Sequence, residues 1–153
     1  MQITITKALQ DNLQEILDLQ YLAYQSEAKL CNNLNIPPLT QTIKDVETEF
    51  IKGIFLKATD ENGVIVGSVR AYSDNDTLHI GKLIVHPDLQ GQGIGTKLLK
   101  EIECICPHER YELFTSTRSK RNIQLYERVG YVKFKEQDID KDLRFIYLSK
   151  TSY

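Results

Sequence analysis

The stretch from His79 to Leu99, HIGKLIVHPDLQGQGIGTKLL, constrains this chain more than any other. His79 to Val85 is an apolar, β-branched run of strand length. His86-Pro87-Asp88 ends it, because proline has no N–H to give a sheet ladder. Gln90-Gly91-Gln92-Gly93-Ile94-Gly95 then opens a helix in which Ile94, Leu98, Leu99, Ile102 and Ile105 share one face. A strand, a glycine-rich turn and a helix make an anion site. The first N–H groups of a helix have no intrahelical partner, the helix dipole is positive at that end, and glycine lets the backbone approach a phosphate closely. A tight turn with no ligand is the plainer reading. Three glycines in five positions, flanked by the two glutamines Gln90 and Gln92, favour the phosphate cradle.

The loop is neither of two familiar phosphate motifs. A P-loop needs four residues between its glycines and then Gly-Lys-Ser/Thr, and both are missing. The dinucleotide pattern Gly-x-Gly-x-x-Gly, begun at Gly91, would end on Thr96.

With 153 residues the chain suits one domain, 1–153, with one core. A net charge of −2 gives no global field for nucleic acid or a membrane surface. Three cysteines, Cys31, Cys104 and Cys106, have neither disulfide-framework nor zinc spacing, which points to reduced thiols in the cytoplasm and to no metal. No run approaches membrane-spanning length and the N-terminus has no signal-peptide apolar block.

Ile3 and Ile5 alternate in a first strand, Gln2 to Thr6. Asp11 or Asn12 caps a helix that runs toward Leu30, broken by Cys31-Asn32-Asn33-Leu34-Asn35. Ile36-Pro37-Pro38-Leu39 reads as an extended connector. Thr40 or Thr42 caps a second helix that Gly53 ends. Ile54–Thr59, Val64–Ser73 and the strand ending at Val85 form an antiparallel meander, its first hairpin turned by Asp60-Glu61-Asn62-Gly63. After the glycine-loop helix come a strand at Tyr111–Thr115, a helix at Lys120–Val129 capped by Ser119, and strands at Tyr131–Gln137 and Arg144–Ser149. The order is β-αα-βββ-α-β-α-ββ: an α/β (α+β) fold with a mixed central sheet of about seven strands and about four helices.

Gln90, Gly93 and Gly95 spell Gln/Arg-x-x-Gly-x-Gly/Ala directly after a strand ending in Val-His-Pro. This resembles the pyrophosphate-binding motif of the GNAT superfamily, the acetyl-CoA-dependent N-acetyltransferases. A second segment agrees. Asn122-Ile123-Gln124-Leu125-Tyr126-Glu127-Arg128-Val129-Gly130-Tyr131 resembles the family's C-terminal Asn…Leu-Tyr-Glu-x-x-Gly-Phe, with Tyr131 in place of the usual Phe. The resemblance runs from about Ile3 to Leu148 and is clearest from Leu78 to Tyr131. It implies the GNAT fold, acetyl-CoA as cosubstrate, and transfer of an acetyl group to a primary amine by direct attack in a ternary complex.

That chemistry must hold the thioester near the nitrogen, receive the amine neutral, and stabilise first an oxyanion and then a departing thiolate. By resemblance, the backbone of Leu83, Ile84 and Val85 pairs with the pantetheine arm and supplies an oxyanion donor. Gln90, Gly91, Gln92, Gly93, Ile94, Gly95 and Thr96 hold the pyrophosphate. Tyr126 matches the tyrosine that meets the coenzyme sulfur and protonates the thiolate; it is also a helix tyrosine packed on a sheet, and the two roles coexist. Asn122 matches a coenzyme-contacting position, and equally reads as a first-turn helix residue.

The general base stays open. His79 shares a strand face with Gly81 and Leu83, and histidine is a residue type suited to general-base work, although a partly exposed strand histidine is the plainer reading. Glu27, at the end of the first helix, is its rival, and ordered water can replace either. His86 and His108 have no assigned role. Tyr21, Tyr24, Glu27, the Ile36–Leu39 connector, Arg70 and Tyr72 are the expected acceptor pocket. Arg70 suits a substrate carboxylate and equally a surface ion pair. Glu27 and the tyrosines suit a small amine or amino-acid-like acceptor rather than a protein lysine. The expected partners are acetyl-CoA and this amine, with no nucleic acid or membrane; Arg118, Lys120 and Arg121 face coenzyme phosphates or solvent. The family's frequent dimers leave a homodimer open. A non-catalytic acyl-CoA-binding module on the same fold is the alternative, and a domain gripping some other phosphate is a weaker one.

Overall fold

A computed structural model of the protein describes residues 2–30 and 36–152. The expected break at Cys31–Asn35 lies outside them. Strand β1 is Thr4–Lys7, and residues 10–12 make a single 3-10 turn before helix α1, Leu13–Ala23. Asn12 does not cap α1 as expected: its side-chain oxygen accepts from Leu9 N at 2.8 Å and so holds the turn.

The single helix expected to reach Leu30 is two helices, with α2 at Gln25–Leu30. No residue between them breaks a helix by composition. The kink at Tyr24 marks a change of packing partner. Leu13, Ile16, Leu17 and Leu19 pack with Val46 and Phe55, whereas Ala28 packs with Ile36 and Leu143. The connector is likewise not extended throughout. Ile36 is extended, but Pro37–Thr40 forms one helical turn, α3, because proline presets the dihedral of a first helical residue. Helix α4, Ile43–Lys52, starts on a capping box, with Asp45 N on the Thr42 hydroxyl and Thr42 N on the Asp45 carboxylate.

The remaining elements are β2 (Ile54–Thr59), β3 (Ile65–Asp74), β4 (Thr77–Val85), α5 (Ile94–Ile105), β5 (Arg110–Ser116), α6 (Lys120–Val129), β6 (Val132–Asp140) and β7 (Leu143–Thr151). One sheet holds all seven strands in the order β1-β2-β3-β4-β5-β7-β6. Ile94, Leu98, Leu99 and Ile102 of α5 are fully buried against one face, and α1 and α4 cover the other. Each such side chain contributes about 2 kcal/mol of burial. Gly67 lets α5 settle on β3: a Cβ there would lie 3.1 Å from Leu98 Cδ1 and from the Ile84 carbonyl oxygen.

Two irregularities of β4 place the site. Its neighbour β5 is parallel to it and pairs only over Thr77–His79 with Arg110–Glu112. Beyond His79 the two strands part, although β5 stays paired with β7 along its whole length. On the other edge of β4, Ser68 pairs with Ile84 and Arg70 with Gly81, so Lys82 and Leu83 together oppose Val69. This is a β-bulge, and Lys82 occupies it with φ +49°. The extra residue reverses the faces. Leu78 and Ile80 point toward α5; past the bulge Leu83 and Val85 do so, while Ile84 joins the α1 and α4 side. Leu83 therefore does not share a face with His79, as simple alternation predicts.

Candidate active site

The glycine loop ends β4 and starts α5. Gly91 and Gly93 have φ of +80° and +85°, in the left-handed region that glycine enters without strain, and a Cβ at either would point into open space. The first intrahelical bond of α5 runs from Lys97 N to Gly93 O at 3.1 Å. The N–H groups of Ile94, Gly95 and Thr96 therefore have no partner among the described residues, at the positive end of a helix. Gly95 serves the packing of two helices instead. Its missing side chain admits Leu125 of α6, whose Cδ2 would lie 3.3 Å from a Cβ.

A groove of about 540 Å³ runs over this loop, bounded by Leu83, Ile84 and Val85, by Gln90, Gly91, Gly93, Ile94, Gly95 and Thr96, and by Asn122 on α6. Gln92 does not border it. Lys120, Arg121 and Arg128 also line it, and Arg121 donates to the Gln90 side chain. Arg118 does not border it, and donates to the carbonyl of Leu30, which does.

On the other side of the split lies a larger cavity of about 900 Å³. The Ile36-Pro37-Pro38 segment, Arg70, Tyr72, His79 and Tyr126 line it. Tyr24, Glu27, Leu83 and Asn122 line both spaces, so the two meet there. Tyr126 is buried against Tyr131, with ring centroids 6.3 Å apart. Burial raises the pKa of both Tyr126 and Tyr24 well above the ordinary tyrosine value, with Glu27's charge adding to each. Both phenols stay protonated at physiological pH. The Glu27 carboxyl is also raised, by burial, while a hydrogen bond from Ser119 opposes the shift. Ser119 sits at the start of α6, yet its side chain makes no cap; its hydroxyl donates to Glu27.

His79 pairs across the sheet with Tyr72 and stacks on it, ring centroids 4.9 Å apart. Its nitrogens lie 3.9 Å from an Asp74 oxygen and 4.0 Å from a Glu112 oxygen. Arg70 is no surface ion pair. It is buried over the Phe55 ring, with NH1 on Glu49 at 2.8 Å and NH2 on Gln20 at 2.8 Å. Its two terminal nitrogens are thus occupied by the protein. Tyr21 and Leu39 lie outside the cavity; the Tyr21 hydroxyl donates to the Gln41 carbonyl, and Leu39 packs beside Ile36.

The cavity also draws on residues that sequence reasoning misses, among them Lys82, Glu112, Phe114, Phe145 and Tyr147. Alternation along β5 carries a signal for Glu112 and Phe114, which fall on one face. The register of β7 against β5 then brings Tyr147 beside Phe114, ring centroids 5.3 Å apart. Among the described residues no His, Cys, Asp and Glu group is arranged to hold a metal, and no helix is long and apolar enough to cross a membrane.

Residues 37–152 match the acetyltransferase (GNAT) domain, and the chain belongs to that family. The S-(2-succino)cysteine N-acetyltransferase of Bacillus subtilis is 36% identical over 77 residues, 47% of this chain and 47% of its own length. The UPF0157 protein YqkA of the same organism is 28% identical over 123 residues, 78% of this chain and 34% of that protein. The chain spans between 34% and 63% of the length of the first curated relatives it matches. Among solved structures, the ribosomal-protein-S18-alanine N-acetyltransferase from Escherichia coli superposes with TM-score 0.80 at 17% identity, covering 98% of this chain and 94% of that one. A phosphinothricin acetyltransferase from Sinorhizobium meliloti, solved in complex with acetyl-CoA, superposes with TM-score 0.78 at 17% identity, covering 99% and 89%. The GNAT fold expected from the two motifs is the fold observed.

Proposed function

We propose that this chain, as one domain over residues 1–153, is a cytoplasmic N-acetyltransferase that moves an acetyl group from acetyl-CoA to a small primary amine of amino-acid-like form. The observation that carries the proposal is the junction at Tyr24, Glu27, Leu83 and Asn122, where two cavities meet beside the parted strands β4 and β5. A linear thioester entering from one side and an amine from the other would meet nowhere else.

The residues present fit the coenzyme. The N–H groups of Ile94, Gly95 and Thr96, open space over Gly91 and Gly93, and the cations Lys120, Arg121 and Arg128 suit a pyrophosphate. The unpaired edge of β4 from Ile80 to Val85 suits an amide-bearing arm. Acetyl-CoA supplies the activated acetyl group and a thiol as leaving group. The protein's part is to position the two substrates and to move protons. Tyr126, protonated and lining the junction's larger cavity, donates to the departing sulfur. Glu27 lies closer to the junction than His79 and is the better-placed proton acceptor for the incoming ammonium; Tyr24 borders the same space. The Bacillus subtilis relative is named for an acceptor that is an amino acid, which supports the acceptor class proposed here.

The test is calorimetric titration with acetyl-CoA against ATP and NAD, followed by an assay of thiol release with a panel of amines. Selective acetyl-CoA binding, lost in Gly93→Val, together with amine-dependent release is the expected result. Absence of acetyl-CoA binding by the folded protein overturns the proposal. Binding without release for every amine would favour a non-catalytic acyl-CoA-binding module.

A further inference from the structure

We propose that Lys82 anchors an anionic group of the acceptor, which makes the acceptor a primary amine with a carboxylate close to its amino group. The inference rests on the acetyltransferase reading above.

The bulge puts Lys82 where regular pairing would not. It lies between Gly81 and Leu83, opposite Val69, and lines the acceptor cavity. Its neighbour Leu83 borders both cavities, so Lys82 sits next to the place where the amine and the thioester would meet. A long side chain at φ +49° is unusual, since glycine or asparagine suits that conformation far better.

The charges of the cavity wall are unevenly matched. Each carboxylate there has a protein partner: Glu49 is held by Arg70 and Gln41, Glu112 by Arg110, and Glu27 by Ser119. Lys82 has no ion pair among the described residues. Arg70, which lines the same cavity, keeps Nε as the one buried side-chain polar atom left unpaired among the described residues. Burial lowers the Lys82 pKa, Arg70's charge lowers it further, and Glu49 opposes both. An ammonium in that setting feels the Glu49 charge but has no carboxylate in direct contact among the described residues, and leaving a partly buried charge without a direct partner is costly. A substrate carboxylate would supply the partner. Because the lysine is one residue from the junction, the carboxylate would stand close to the nucleophilic amine, as in an α-amino acid. Arg70, the carboxylate-binding candidate by sequence, has its terminal nitrogens occupied by the protein.

The experiment compares L-α-amino acids and S-carboxyalkyl cysteines with their α-carboxamides as acceptors, in wild type, Lys82→Gln and Lys82→Arg. Acetyl-CoA binding is measured in all three proteins. The wild type should favour the acid of each used pair by about tenfold or more in kcat/KM, carried mainly by KM. Lys82→Gln should bring the ratio near one, and Lys82→Arg should restore most of it. Acids and amides used equally by wild type, or a ratio unchanged in Lys82→Gln, would overturn the inference. So would acetylation confined to amides, or acetyl-CoA binding with no acid turned over. Failure to bind acetyl-CoA at all would instead remove the acetyltransferase reading itself.

Discussion

The Ser119 hydroxyl donates to the Glu27 carboxylate across 92 positions of sequence, joining the start of α6 to α2 at the point where the two cavities meet. Burial raises the Glu27 pKa from the ordinary 4.5 and the Ser119 bond opposes it. The folded protein therefore holds this proton more tightly than the unfolded chain does. Stability is greatest below pH 4.5 with respect to this group, falls as pH rises through the folded value, and is level above it. Glu27→Gln should remove that slope and raise the melting temperature at neutral pH, read by thermal unfolding at a series of pH values. If Glu27 accepts the amine's proton, kcat should fall by about a hundredfold with acetyl-CoA affinity kept.

Tyr126→Phe tests the proton donor. The phenol is buried and held protonated, so no activity limb from its titration should appear at or below about pH 9. Removing one oxygen from a packed ring leaves Leu125 and Tyr131 in place. We expect kcat to drop by about 10²-fold and acetyl-CoA affinity to change little, measured by single-turnover kinetics and calorimetry.

Gly93 and Gly63 form a matched pair. Both have left-handed φ, +85° and +80°, with open space around a Cβ, but Gly63 turns the β2–β3 hairpin and does not border the groove. Valine at either should cost about 1–2 kcal/mol of stability. Only Gly93→Val should also weaken acetyl-CoA binding, by about tenfold or more, because its side chain enters the space over the helix N-terminus.

Arg70→Met should destabilise the fold by about 2 kcal/mol, since Glu49, Gln20 and Gln41 lose their shared partner. Arg70→Met with Glu49→Leu should regain much of this, as a double-mutant cycle in urea would show. A ligand-binding arginine would show no such recovery.

The glycine loop was legible because a strand ending, free helix N–H groups and left-handed turns are all local properties of Val85 to Thr96. The seven strands were legible for the same reason, through alternation and turn residues. Lys82 was not. A bulge is a mismatch between two strands, and nothing in Gly81-Lys82-Leu83 marks it without β3 alongside. The kink at Tyr24 was hidden because it follows a change of packing partner, not a helix breaker. Ser119 reads as a cap because its position fits one, yet a carboxylate from α2 claims the hydroxyl. Arg70 alternates correctly in β3, but its neighbours Gln20, Gln41 and Glu49 come from three segments distant in sequence.

Most proteins shield or distort a strand edge, because a row of unpaired backbone groups invites other chains to add to it. Here the edge opens inside the sheet, between β4 and β5, with α2 on one rim and α6 on the other. A polypeptide strand approaching from solution meets those helices first. A thin, flexible molecule with a few amide groups does not. The slot therefore sorts by girth, admitting a thread-like guest while denying aggregation its usual template.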